Sequence, residues 1–364
     1  MRLIEDFCCQ NPSCPDAGIR GNGNLRWHGW SGHKRQIRCL YCRTCKKCFS
    51  ERKGTVLEHS RLSTEKATSI MEHLREGCGV RGTGRLVKVS SNTVMRYARL
   101  AGDHATKLHD ELVAISPRTR EVQLDEKWAF VYKKEAHCNP DEKTCGDNWD
   151  HTAIDTESRL LVSIVPGKRT GEQCQKVVDE VKKRTAGRTD LLITSDEHAP
   201  YKTAIEHAYT TETQKSDGST QRVMPKDLCY ATVNKTRKGG RVINIVNALV
   251  FGTLTFLLMF LLRSIVSTTI NTSFVERHNS TDRNQNARKG RKTMRFSKDW
   301  DRHNAMTYFV AYSYNFCWPV RTLRTKDDSG RWKKRTPAMA AGLSEHIWST
   351  FEWISYPARP CMSI

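Results

Sequence analysis

The chain has 364 residues, long enough to bury more than one core, and 38% of them are hydrophobic, which excludes a disordered polymer. Lys and Arg number 60 against 39 Asp and Glu, a formal charge of +21, and a surplus that size points to a polyanionic partner rather than to a small acidic molecule. Seven of the 14 cysteines fall within the first 48 residues, clustering that favours metal over disulfides; the opening MRLIEDFCCQ puts two acids where the apolar part of an export signal would begin, so a cytoplasmic protein is expected.

Residues 1–55 offer little apolar core. Cys9 and Cys14 precede CLYCRTCKKCFS, in which Cys42 and Cys45 form a C-x-x-C pair. Two thiol pairs on either side of a basic loop are the pattern of a tetrahedral structural zinc site, in which four thiolates replace the missing core. Cys8, Cys39 and Cys48 are legal substitutes, so Cys9, Cys14, Cys42 and Cys45 are the preferred set among several. An all-thiolate site leaves no open position and argues against a catalytic zinc.

Residues 56–116 alternate helical patterns with short glycine breaks and predict two or three helices, the first capped by Ser63 or Thr64 and the last by Ser90 or Ser91. The stretch GVRGTGRLVKVSSNTVMRYARLAG has the cadence of a helix-turn-helix, with Val94 and Leu100 inward. Ser91, Asn92, Thr93 and Arg96 then face outward at the N-terminal end, where such motifs contact base edges. A plain helical hairpin with solvated arginines is the alternative.

Pro117 marks the next boundary. After it, EVQLDEKWAFVYKK, RLLVSIVPG and DLLITSD read as strands and GEQCQKVVDEVKKRTAG as an amphipathic helix, which predicts an α/β domain with a mixed sheet over residues 117–320. HCNPDEKTCGDNWDH is expected to be a loop between strands, a second metal at His137, Cys138, Cys145 and His151 being the weaker reading. Residues 242–262 carry no charge and are long enough to pass for a membrane span, but Asn244, Asn247, Gly252, Thr253 and Thr255 dilute them. A buried strand followed by a core helix is expected there, with no membrane partner. Residues 321–364 read as a basic tail with a short terminal helix.

Three carboxylates stand out. Strand alternation puts Asp125 on the face opposite Val122 and Leu124, leaving Glu126 on the core side or at a strand edge; Asp196 ends a strand; Glu276 heads a helix that also presents Asn279 and Arg283. Two strands and a helix converging in this way can hold two Mg²⁺ (or Mn²⁺) ions about 4 Å apart, which activate a water or hydroxyl against a phosphodiester. Arg283, Arg288, Lys289, Arg291 and Lys292, beside Glu276, would then grip DNA.

The N-terminal cysteine pattern, LDEKW, ITSDEHAPY, NTSFVERHNSTDRNQNARKGRKTMRFSKD and YSYNFCWPVRTL together resemble insertion-sequence transposases of the DDE class, of the IS-one type, over most of the chain. The resemblance implies a ribonuclease-H-like core with Asp125, Asp196 and Glu276 as the metal-binding triad, preceded by a zinc module and a helix-turn-helix that bind the element's terminal inverted repeats. It implies cleavage to free 3′-hydroxyls and their joining to target DNA; because two ends must be synapsed, a dimer or larger assembly on DNA is expected, associated with the nucleoid. An inactive DNA-binding regulator and a metal-dependent nuclease without strand transfer are the rival readings.

Overall fold

The computed structural model describes residues 2–32, 36–114, 118–214 and 219–360; Pro117, the expected boundary, lies outside them. A small antiparallel sheet of β1 (Leu25–Ser31), β2 (Ile37–Cys42) and β3 (Cys48–Ser50) comes first, its few buried side chains gathered around Cys9, Cys14 and Cys42.

Three helices follow: α1 (Thr64–Arg75), α2 (Val80–Val87) and α3 (Ser91–Leu112). Ser63 caps α1 by accepting from the Lys66 N–H at 3.4 Å, and Ser90 caps α3 by accepting from Thr93 at 3.1 Å. Each satisfies an amide that the first turn leaves without a helical partner.

The main sheet is built from β4 (Glu121–Val131), β5 (Gly146–Asp155) and β6 (Leu161–Gly167), then β7 (Leu192–Ser195), β10 (Cys229–Lys238) and β11 (Arg241–Phe251). Its spatial order is β11-β10-β7-β4-β5-β6: β4, β5 and β6 run antiparallel, β7 and β10 continue parallel to β4, and β11 returns antiparallel at the edge. Helices α4 (Gly171–Arg184) and α5 (Ala199–Tyr209) cover one face, where Val122, Leu124 and Ile193 meet Val177, Val178 and Val181 of α4. A short hairpin, β8 (Thr211–Gln214) and β9 (Thr220–Val223), follows α5. The other face carries α6 (Leu254–Arg263), α7 (Ser273–Gln285) and α8 (Trp300–Cys317). β4 is therefore buried along most of its length, as expected of a central strand covered on both sides. The chain ends with a hairpin, β12 (Thr325–Lys326) and β13 (Trp332–Lys333), and two short helices, α9 (Pro337–Ala341) and α10 (Thr350–Ile354).

Helix α3 lies directly on α8. A Cβ at Gly102 would stand 2.4 Å from the Ala305 Cα, so only glycine permits this approach. Around the crossing, α1, α3, α8 and α10 share one core that includes Tyr97, Leu108, Phe309 and Trp353.

Three expectations are refined by the structure. The basic residues 321–364 carry the expected short terminal helix, α10, and it is packed down: Trp353 and Ile354 are buried, and the Ile354 carbonyl accepts from the Val56 N–H at 3.1 Å. The side chains of Trp348, Trp353 and Ile354 enter the core shared with α1, α3 and α8. The second half of HCNPDEKTCGDNWDH is strand β5 rather than loop, and Cys138 and Cys145 are joined as a disulfide. Residues 242–262 do form a strand and a helix; the helix buries Leu257 and Phe260 against the sheet as expected, but the strand is exposed along most of its length, Ile243 being 60% exposed, and the outer face of the helix is open, with Leu258 50% and Leu262 86% exposed. Their strand runs out along the sheet edge beyond the covering helices. Among the described residues no helix is long and apolar enough to cross a membrane.

Candidate functional site

A cleft of about 1000 Å³ opens at the end of the sheet where β4 and β7 run side by side. Parallel register pairs Gln123 with Thr194, so two residues further along Asp125 stands beside Asp196, just past the end of β7. Carboxylate oxygens of Asp125, Glu126 and Asp196 come within 4.8 Å of one another. Glu276, in the first turn of α7, lines the same cleft but is not part of that close group. Its Oε1 accepts from Lys235 of β10 and, at 2.8 Å, from Thr272.

The position of α7 depends on a residue that sequence reasoning missed. Gln123 is fully buried on the same face of β4 as Asp125; its Oε1 accepts from the backbone N–H of Phe274 (2.9 Å) and Val275 (3.1 Å), and its Nε2 donates to the Asn271 carbonyl at 2.8 Å. A strand side chain thus satisfies amides that the helix start leaves open. Asn279, one turn on from Glu276, donates to Asp125 Oδ2 at 2.7 Å, while Asp125 Oδ1 accepts from the Glu126 N–H at 2.9 Å.

The acids are crowded. Burial, together with the charges of Asp196 and Glu276, pushes Asp125 up to about 6. Burial and Asp196 push Glu126 up to about 7 against the pull of Arg169, which donates to its Oε2 at 3.2 Å. Like charges held together out of water in this way are relieved by protons or by a divalent cation. Arg169, Lys235, Arg237, Arg283 and Arg291 line the same cleft and give it cationic walls.

The basic run after Glu276 divides. Arg291 and Lys292 are exposed and Arg283 lines the cleft, whereas Arg288 is half-buried. Lys289 corrects the expectation of a phosphate contact: its side chain is 0% exposed, 2.6 Å from Asp150 and 3.5 Å from Asp282, and Lys127 pairs with the same two aspartates. Burial opposes the charge on Asp150 and Asp282, but the two lysines outweigh it and hold both carboxyls below their ordinary range. This enclosed quartet ties β4, β5 and α7 together.

At the other end of the chain, the Sγ atoms of Cys9, Cys14, Cys42 and Cys45 lie within 4.8 Å of one another, a set of four thiols with the donor chemistry of a zinc site. Cys8, Cys39 and Cys48 lie outside that group. Ser91, Asn92 and Arg96 are exposed and Thr93 partly so; beside them the turn between α2 and α3 forms a shallow hollow of about 610 Å³, lined by Arg81, Arg85, Lys88 and Ser91.

No protein-family model matches the chain, and no curated protein does. Among solved structures it is similar to a pre-cleavage Mos1 transpososome, at 11% identity over 41% of this chain and 58% of that one, with a TM-score of 0.17. The Mos1 strand transfer complex matches at 11% identity over 41% of this chain and 55% of that one, and a Mos1 mariner paired-end complex with Mn over 41% and 57% at the same identity, each with a TM-score of 0.17. The chain thus spans less than two thirds of these relatives. A likeness this slight fixes neither family nor activity.

Proposed function

We propose that the protein is a DNA transposase of the DDE class, of the IS-one type, in which Asp125, Asp196 and Glu276 hold Mg²⁺ or Mn²⁺. One observation carries this reading: acids on two adjacent parallel strands, at ligand distance from each other, face a helix-borne third acid across a cleft walled by arginine and lysine. The crowding that raises Asp125 fits a site made to receive a dication. The three antiparallel strands continued by two parallel ones support a ribonuclease-H-like core.

Bound there, the metal would polarise a phosphodiester and activate the attacking water or 3′-hydroxyl. The chain's own residues do the rest. Asn279 and the Glu126 N–H fix the Asp125 carboxylate, the His198 N–H holds Asp196 Oδ1 at 3.1 Å, and Gln123 holds the start of α7. Arg169, Arg237, Arg283 and Arg291 supply positive charge for the phosphates on either side of the scissile bond.

Residues 1–55, with structural Zn²⁺ on Cys9, Cys14, Cys42 and Cys45, and residues 56–116, with Ser91, Asn92, Thr93 and Arg96 at the bases, act as the modules that bind the element's ends. Residues 117–320 do the chemistry, and residues 321–364 brace the modules. Synapsis of two ends requires a dimer or larger assembly, working where the DNA is, at the nucleoid.

The test is incubation of purified protein with DNA carrying the element's ends and Mg²⁺. Cleavage at the 3′ ends together with joined products is expected, and both should fall by at least about a thousandfold in Glu276→Gln and Asp125→Asn, while metal-free binding to the ends stays near wild type. Cleavage without joining would identify a nuclease. Binding without cleavage would identify a regulator.

A further inference from the structure

We propose that Glu126, His151 and Cys174 form a second transition-metal site, of the zinc type, set behind the carboxylate cleft. The three come from different elements, β4, β5 and the first turn of α4, and His151 is the direct cross-strand partner of Glu126. Glu126 Oε, His151 Nδ1 or Nε2, and Cys174 Sγ lie within 4.8 Å of one another. All are enclosed: the Glu126 side chain is 1% exposed, and His151 and Cys174 are 0% exposed. One oxygen, one nitrogen and one sulfur donor make the mixed, borderline-soft set that zinc takes.

The hydrogen bonds around the cluster leave its lone pairs unused. His151 Nδ1 lies 3.3 Å from the Val165 carbonyl, an acceptor, so Nδ1 carries the proton and Nε2 presents its lone pair; a carbonyl in that role is the usual outer partner of a metal-bound imidazole. Arg169 engages Glu126 Oε2. The remaining atoms, Glu126 Oε1 and His151 Nε2, are buried and form no close hydrogen bond among the described residues, the buried Tyr201 hydroxyl being another polar group that faces Glu126. Buried polar atoms left unpaired in this way are costly, and both belong to residues of the group that lies within 4.8 Å of the Cys174 thiol. His198 Nε2, also without a partner, stands 3.8 Å from Glu126 Oε1 on the cleft side, where a fourth donor or a water would complete a tetrahedron.

The assignment has a consequence for the cleft. Glu126 sits at ligand distance both from Asp125 and Asp196 and from His151 and Cys174. A zinc ion on the inner side commits Glu126 to it, leaving Asp125 and Asp196 as the acids that face the cleft, and ties β4, β5 and α4 together directly beneath them.

Zinc per chain, measured on full-length protein dialysed against Mg²⁺ buffer free of zinc and chelator, tests the site independently of any reaction. About two zinc ions per chain are expected in wild type, one on the four-cysteine set, and about one in Cys174→Ser and in His151→Gln with unchanged circular dichroism. Asp125→Asn should keep both. Equal zinc content in wild type, Cys174→Ser and His151→Gln would overturn the proposal, as would loss of an ion from Asp125→Asn but not from Cys174→Ser. Should the variants fail to fold, zinc-edge X-ray absorption of the wild type decides. A mixed shell of sulfur with nitrogen or oxygen supports the second site, and an all-sulfur shell overturns it while leaving the four-cysteine zinc standing. Absence of all zinc would overturn both.

Discussion

Gln123 accepts a hydrogen bond from the Val275 N–H at 3.1 Å, across 152 residues of chain, and this contact sets where Glu276 stands relative to Asp125. Asp125 lies two residues beyond Gln123 on the same face of β4, and Glu276 is the residue after Val275. Gln123→Leu keeps a similar volume but leaves two helix amides without their partner and removes one of the two hydrogen bonds to the Asn271 carbonyl, the other coming from Thr194 at 3.1 Å. We expect a loss of about 1–3 kcal/mol of stability. We also expect a fall in single-turnover cleavage of ten- to a hundredfold, about what a displacement of roughly 1 Å costs, with metal-free DNA binding retained. Cleavage at the wild-type rate would show that α7 is held by other contacts.

Lys235 donates to the Glu276 carboxylate. A cation there opposes the arrival of a dication and competes for the same oxygen. Lys235→Met should therefore lower the Mg²⁺ concentration at half-maximal binding by about three- to tenfold, read by calorimetry without DNA. A weaker Mg²⁺ affinity in this variant would mean that Lys235 orients the carboxylate more than it blocks it.

The basic run should separate into two phenotypes. Lys289→Met leaves Asp150 and Asp282 with one lysine between them in a fully buried setting, so a loss of about 3–5 kcal/mol is expected in denaturant titration. Replacing exposed Arg291 and Lys292 together by Ala should change stability by less than about 0.5 kcal/mol. It should instead flatten the salt dependence of DNA binding by up to about two units of slope.

Metal and pH should be coupled through Asp125. Its folded value, about 6, lies above its ordinary one, so between those limits the folded state holds the proton more tightly and stability falls as pH rises. Above about pH 6 the metal-free protein carries the full penalty, on the order of 3 kcal/mol. Mg²⁺ relieves it only where the carboxylate is ionised. The Mg²⁺-induced rise in Tm should thus be larger at pH 7.5 than at pH 5, and equal rises at both would remove Asp125 from the metal site.

At α3, Arg96→Ala should lower preference for the terminal repeats by about 1–3 kcal/mol with little effect on random DNA, measured by competition binding. Equal losses on both would make Arg96 a phosphate contact.

The elements whose local pattern agrees with their setting are legible in the sequence: Ser63 and Ser90 announce their helices, and the alternation around Asp125 assigns Val122 and Leu124 to the covered face. What is not legible depends on distant partners. Gln123 is one polar residue in a strand until Asn271, 148 positions away, comes against it. Lys289 sits in a run of cations, and nothing local says that Asp150 and Asp282 will enclose it. Hydropathy alone predicts burial for residues 242–262, but burial requires a covering layer, and none of the described elements covers the outer part of β11.

The glycine contact between α3 and α8 makes the molecule a ruler. Helix α3 has 22 residues, about 33 Å end to end, with its exposed start at Ser91 and its middle locked against the helix that packs on the main sheet. For a duplex seated at Ser91–Arg96, the span to Asp125 is then a property of the protein rather than of the DNA. Each base pair inserted between the recognised sequence and the cut site carries the scissile phosphate about 3.4 Å further along and around the helix, so the cut should stay at a constant distance from the recognised sequence instead of following the sequence at the junction.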